Sequence, residues 1–244
     1  MFLIGLSSCT FPGQEPQRIV ELAQASGVQG LEWHAEYHCP VGDMDRAHEL
    51  RDRTEQAGLV CLSYAIDSGG EHPDTEEAAV DTAFEIGASM LTVIPGPDGS
   101  RAPASLERCF RRAAHPGLTV AVGFSAESSV RSGVATQQLI DMAGGEHADI
   151  LWSREPFSSN DEALADLNAV AHDIVGMYIS GLHPDGSTNA IGERTDEWAG
   201  YLAALSHVDD DHWIIVRGVE DSDASALYRD MQTLRRLAEK YGKH

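Results

Sequence analysis

Within seven residues the chain places two carboxylates and two imidazoles, Glu32, His34, Glu36 and His38. Carboxylates and imidazoles exchange protons near neutral pH and ligate divalent cations, so proton-transfer or metal chemistry is the first reading of this stretch. It leaves a short apolar run, residues 28–31, and turns at Pro40 and Gly42 before Asp43, which is placed to cap the next helix. Residues where a strand opens into a loop carry function disproportionately; a solvated loop of an acidic protein is the competing explanation. Within the stretch His34 is expected at the surface or one layer behind any pocket.

Positioning such groups requires a scaffold, and the rest of the chain supplies one. Short apolar runs alternate with amphipathic ones along all 244 residues. Strands are expected at 2–6, 28–31, 59–63, 90–94, 118–122, 149–152, 174–179 and 212–216. Helices are expected at 15–26, 43–57, from 74 or 75 to about 87, 104–114, 136–143, 161–171, 194–205 and 224–241, with Gly27 and Gly58 stopping the first two. Strict alternation predicts a parallel sheet covered by helices. Eight units in about 250 residues match a closed (β/α)8 barrel, a single TIM-barrel domain over residues 1–244, with an open doubly wound sheet as the alternative. A barrel gathers the ends of all its strands in one mouth, so the residues just after each strand are the ones to inspect.

Composition narrows the partners. The chain is 42% hydrophobic and 23% charged, as a soluble globular protein would be. Its 39 acids against 17 bases give a formal net charge of −22, a field that repels nucleic acid and anionic membranes. A small-molecule substrate is the expected partner, with a homo-oligomer or partner subunit possible. Cys9, Cys39, Cys61 and Cys109 show no close pairing, which favours reduced thiols and a cytoplasmic location over a disulfide framework. The apolar N-terminus has no basic segment ahead of it and reads as a first strand.

The strand ends carry Ser7 to Thr10, then Glu32 to His38, then Ser63, Tyr64 and Asp67. Strand five is followed by Gly123, Ser125 and Glu127, and strand six by Trp152, Ser153, Arg154 and Glu155. Strand seven leads to Tyr178, Ser180 and His183, and strand eight to Val216, Arg217 and Glu220. Gly-Leu-Ser-Ser-Cys-Thr-Phe (5–11), Gly-Leu-Glu-Trp (30–33), His-Cys-Pro-Val-Gly-Asp (38–43) and Leu-Ser-Tyr (62–64) resemble the first three strand ends of the xylose-isomerase-like TIM barrels, in particular the sugar phosphate isomerase/epimerase group. The similarity resumes at residues 198–205 and in the helix 230–237.

That resemblance implies a divalent metal (manganese, zinc or magnesium) held by a glutamate, an aspartate, a histidine and a glutamate after strands five to eight. Carried over position by position, those places fall on Gly123, Ser153, Tyr178 and Val216, which are absent or poor ligands for such an ion. No metal is therefore expected in the family position, unless Glu127, Glu155, His183 and Glu220 fold back into the mouth. Arg154 and Arg217 stand beside two of the vacancies. Alternation would turn one residue of each neighbouring pair outward, but an arginine facing the mouth could supply the positive charge that the metal otherwise provides.

The resemblance implies an isomerase or epimerase acting on a small sugar or related polyhydroxy carbonyl compound. Glu32 or Glu220 would remove the proton and His38 or His183 return it, with Cys9, Tyr64, Trp152, Arg154 and Arg217 binding substrate. The competing expectations are a catalytically degenerate barrel that binds a ligand or a partner subunit, and a lyase or dehydratase.

Overall fold

In the computed structural model the described residues are 1–68, 75–114, 117–154, 157, 159–181 and 190–242. Eight parallel strands close into a barrel in chain order. They are β1 (Phe2–Ser7), β2 (Gly30–His34), β3 (Val60–Ser68), β4 (Met90–Pro95), β5 (Thr119–Gly123), β6 (Asp149–Ser153), β7 (Ile174–Ile179) and β8 (His212–Val216). Helices alternate with them: α1 (Pro16–Ser26), α2 (Met44–Gln56), α3 (Thr75–Glu85), α4 (Ala102–Ala113), α5 (Gly133–Met142), α6 (Asn160–Ala169), α7 (Thr195–Leu205) and α8 (Ala224–Tyr241). Closure is made by β1 and β8, in register from Phe2 opposite His212 to Leu6 opposite Val216. Among the described residues, no helix is long and apolar enough to cross a membrane.

Local chemistry sets the helix limits. Asp43 accepts from the Arg46 amide at 3.0 Å, Ser132 from Ala135 and Ser159 from Glu162, so α2, α5 and α6 each start on a side-chain cap. Gly27 ends α1 at φ 66°, a left-handed conformation that strains any residue with a Cβ.

Alternation along the strands divides their side chains between two cores. Leu6, Leu31, Trp33, Tyr64, Val93, Val122, Trp152, Ile179, Ile214 and Val216 face outward into the layer beneath the helices. Leu62, Met90, Ile94, Ala121, Leu151, Tyr178 and Ile215 fill the barrel, with Val175 and Trp213 packed against them. Each fully buried Leu or Ile contributes about 1.5–3 kcal/mol. The interior is plugged through glycines: a Cβ on Gly30 would lie 3.1 Å from Leu62 Cβ, and one on Gly176 3.0 Å from Trp213 Cβ. Those two large side chains take the room the glycines leave.

Two strands run further than the sequence suggests. β2 continues through Glu32 to His34 and β3 through Tyr64 to Ser68, so residues expected in a loop belong to the sheet. The register also shifts here: Leu31 pairs with Cys61, but Glu32 pairs with Ser63. The extra residue, Leu62, turns into the barrel, and beyond it Ser63, Ala65 and Asp67 share the inner face.

Candidate functional site in the barrel mouth

Glu32 stands on the inner face of β2, fully buried. The Tyr178 hydroxyl, from the inner face of β7, donates to its Oε2 at 3.0 Å across the barrel. Burial raises the Glu32 pKa above the usual carboxylate value, against the Ser7 hydroxyl, the Arg217 guanidinium and the Tyr178 and Ser63 hydroxyls, which all favour the charged form. Its Oε1 is buried without a partner in hydrogen-bonding geometry. Ser63 is itself bonded to Thr92 across 2.7 Å.

Arg217 completes the group. Its amide donates to the Ile179 carbonyl at 2.8 Å, so the pairing of β7 with β8 persists one residue past Val216. Alternation then sends Val216 outward and Arg217 inward, where its guanidinium lies 4.9 Å from the centre of the Tyr178 ring. Burial pushes the Tyr178 phenol well above its ordinary pKa, with the Glu32 carboxylate adding to the effect, so it remains a proton donor. Cys9 lies in a short 3-10 turn after β1, its Sγ 3.2 Å from the Ser7 hydroxyl. Burial raises its thiol above its ordinary pKa although Arg217 is nearby, so it stays protonated.

One step further out on β2, His34 is 1% exposed, and neither ring nitrogen has a hydrogen-bond partner. Burial, aided by Arg217, lowers its pKa to about 4. Its Nε2 lies 3.8 Å from Asp67 Oδ2. The sequence places His34 at the surface or behind the pocket and ends β2 at Leu31, whereas the strand runs to His34. Extending the strand by three residues puts Glu32 and His34 on one face.

Other expected site residues lie elsewhere. Tyr64 is on the outer face and donates to the Cys39 carbonyl at 2.8 Å, so it does not line the mouth. Trp152 also faces outward, stacked on Phe157 and bonded to Asp166. Arg154 donates to the Phe157 carbonyl, and its Nε lies 3.4 Å from Glu197 of α7, which ties it to the helical layer. His38 reaches the Gln14 carbonyl at 3.2 Å and packs edge-on against Trp33, joining the first two loops behind the mouth. Glu220 is turned to Arg229 of α8 at 2.9 Å, and Glu127 is exposed in a turn. Glu155 and His183 lie outside the described residues. The strand-eight position carried over to Val216 is corrected to Arg217, since Val216 packs under the helices.

The divalent metal that the resemblance implies does not fit this set. After β5 to β8 the inward positions are Gly123, Ser153, Tyr178 and Arg217. They offer no carboxylate and no imidazole, and a guanidinium brings its own fixed positive charge.

No family model matches the sequence, and no curated protein resembles it. Solved structures do. A xylose isomerase domain protein from Alicyclobacillus acidocaldarius superposes with a TM-score of 0.76 at 13% identity, covering 100% of both chains. The probable 3-DHS dehydratase AsbF from Bacillus anthracis gives 0.70 at 12% identity, over 96% of this chain and 98% of that one. A xylose isomerase-like TIM barrel protein from Mycobacterium smegmatis, in complex with magnesium, gives 0.70 at 9% identity, over 98% and 97%. With eight parallel strands closed in chain order and these full-length superpositions, the chain has the xylose-isomerase-like (β/α)8 fold.

Proposed function

We propose that the chain is an isomerase or epimerase of a small sugar or related polyhydroxy carbonyl compound, working by proton transfer without a metal in the family position. The observation that carries this reading is the buried Glu32 carboxylate, bonded to Tyr178 and facing Arg217. A base with a raised pKa takes a carbon-bound proton better than an ordinary carboxylate does. Glu32 removes the proton next to the substrate carbonyl, and the C–H electron pair forms the enediolate. Arg217 stabilises the negative charge that develops on oxygen, and Tyr178 orients the base. Glu32, now protonated, returns the proton to the former carbonyl carbon, while the proton of the neighbouring hydroxyl passes to the enediolate oxygen and the new carbonyl forms where that hydroxyl was. One base therefore suffices for the carbon-bound proton of a 1,2-isomerisation.

Incubation of the purified protein in D2O with a panel of aldoses, ketoses and their phosphates tests this. Deuterium is expected at the carbon next to the carbonyl for at least one member, and no exchange with any member overturns the proposal. A dehydratase is the second reading, favoured by the name of one structural neighbour. It shares the first proton abstraction and then expels hydroxide from the adjacent carbon, so loss of water from the labelled product identifies it.

A further inference from the structure

The mouth holds a second group of side chains that the proposed proton transfer does not use. His34 ends β2, Glu36 lies in the turn that follows, and Asp67 stands on β3, one inward step beyond Ala65, which pairs with His34. One ligand atom from each of the three lies within 4.8 Å of the others. Such a cluster of exposed acids would mean little without the imidazole. His34 is 1% exposed with both nitrogens unsatisfied, and its Nε2 points toward Asp67 across 3.8 Å, beyond hydrogen-bonding distance. A buried imidazole left without a partner carries a desolvation cost that a ligand would remove.

We infer that His34, Glu36 and Asp67 form a divalent-cation site, best suited to zinc, at the ends of β2 and β3. Zinc takes nitrogen and carboxylate oxygen at about 2.0–2.2 Å, which separates tetrahedral ligands by about 3.4 Å. Glu36 and Asp67 are exposed and can close to that spacing by side-chain rotation, and water takes the fourth position. The two carboxylates cancel the charge of the dication. Arg217 opposes a second cation nearby, but its guanidinium lies over the Tyr178 ring and acts on Glu32. The site differs from the one the resemblance implies, which would use strands five to eight.

The test is titration of EDTA-stripped, full-length protein with Zn2+ by calorimetry, with Co2+ absorption reporting ligand type. A chain of this charge binds cations diffusely, so Glu127→Gln, an exposed acid outside the cluster, is the reference. One equivalent is expected in the wild type and in Glu127→Gln, weakened tenfold or more in Glu36→Gln and Asp67→Asn. His34→Gln should abolish it and the tetrahedral Co2+ bands with it. Glu36 and Asp67 are exposed, so their variants keep the test valid if His34→Gln does not fold. The inference is overturned if the wild type takes up no stoichiometric zinc, or if Glu36→Gln and Asp67→Asn bind it as Glu127→Gln does. Neither result depends on deuterium exchange, so this site and the proposed activity can fail separately.

Discussion

A carboxyl group in a dry site has opposite effects on activity and on stability, and Glu32 should show both. Burial raises its pKa in the folded protein above about 4.5, the value an unhindered glutamate has in the unfolded chain. The folded state therefore holds this proton to higher pH than the unfolded state does. Its stabilising contribution is complete below that range and is lost as pH rises through the folded pKa. Glutamine is nearly isosteric with the protonated acid and never ionises. Glu32→Gln should match the wild type in Tm near pH 4 and exceed it increasingly toward pH 8. Its proton-transfer activity should fall about 10²–10⁴-fold, the usual contribution of an acid/base group. Thermal melts across pH, paired with deuterium exchange, check both halves. A variant that melts below the wild type at pH 8 would mean that the Tyr178 and Arg217 contacts outweigh desolvation.

At the scale of elements, the order of strands and helices was readable because each unit carries its own pattern and stop signal. Strands β7 and β8 and helix α8 fall on the residues that periodicity assigns. What could not be read is where a strand stops following its partner. The shift at Leu62 and the extra bond from Arg217 to Ile179 arise from pairing between segments far apart in the chain. Each changes the face a residue occupies, and alternation then changes the role of its neighbours. Tyr64 is expected in the pocket because Leu-Ser-Tyr (62–64) resembles a family strand end, and the shift at Leu62 leaves it on the outer face. Its hydroxyl instead satisfies the Cys39 carbonyl under the helices. Tyr64→Phe should leave that buried carbonyl unpaired and cost about 1–3 kcal/mol. Activity in the folded variant should stay at the wild-type level. Denaturant melts and the exchange assay separate the two, and an activity loss without destabilisation would return Tyr64 to the mouth.

For the whole molecule, charge decides how the fold responds to salt. Of the 39 acids, several are paired with arginine on the surface, as in Arg18 with Glu21, Arg112 with Asp81 and Arg229 with Glu220. Exposed pairs of this kind are worth about 0–1 kcal/mol each, and salt weakens them. The remaining acids, a net excess of 22, repel one another over longer distances, and folding brings them closer together. Screening acts most on that long-range part, because the Debye length falls from about 10 Å at 0.1 M to about 3 Å at 1 M. The buried group around Glu32 is shielded from the bulk ions and should change little. Raising NaCl from about 0.05 M to about 1 M should therefore raise Tm steadily at pH 7. Sodium chloride is the salt to use, since sulfate strengthens apolar burial in any protein. At pH 4, where many carboxylates have taken up protons, the same titration should give a smaller rise. A Tm that falls with NaCl at pH 7 would mean that the arginine–carboxylate pairs contribute more to this barrel than the excess of acid takes away.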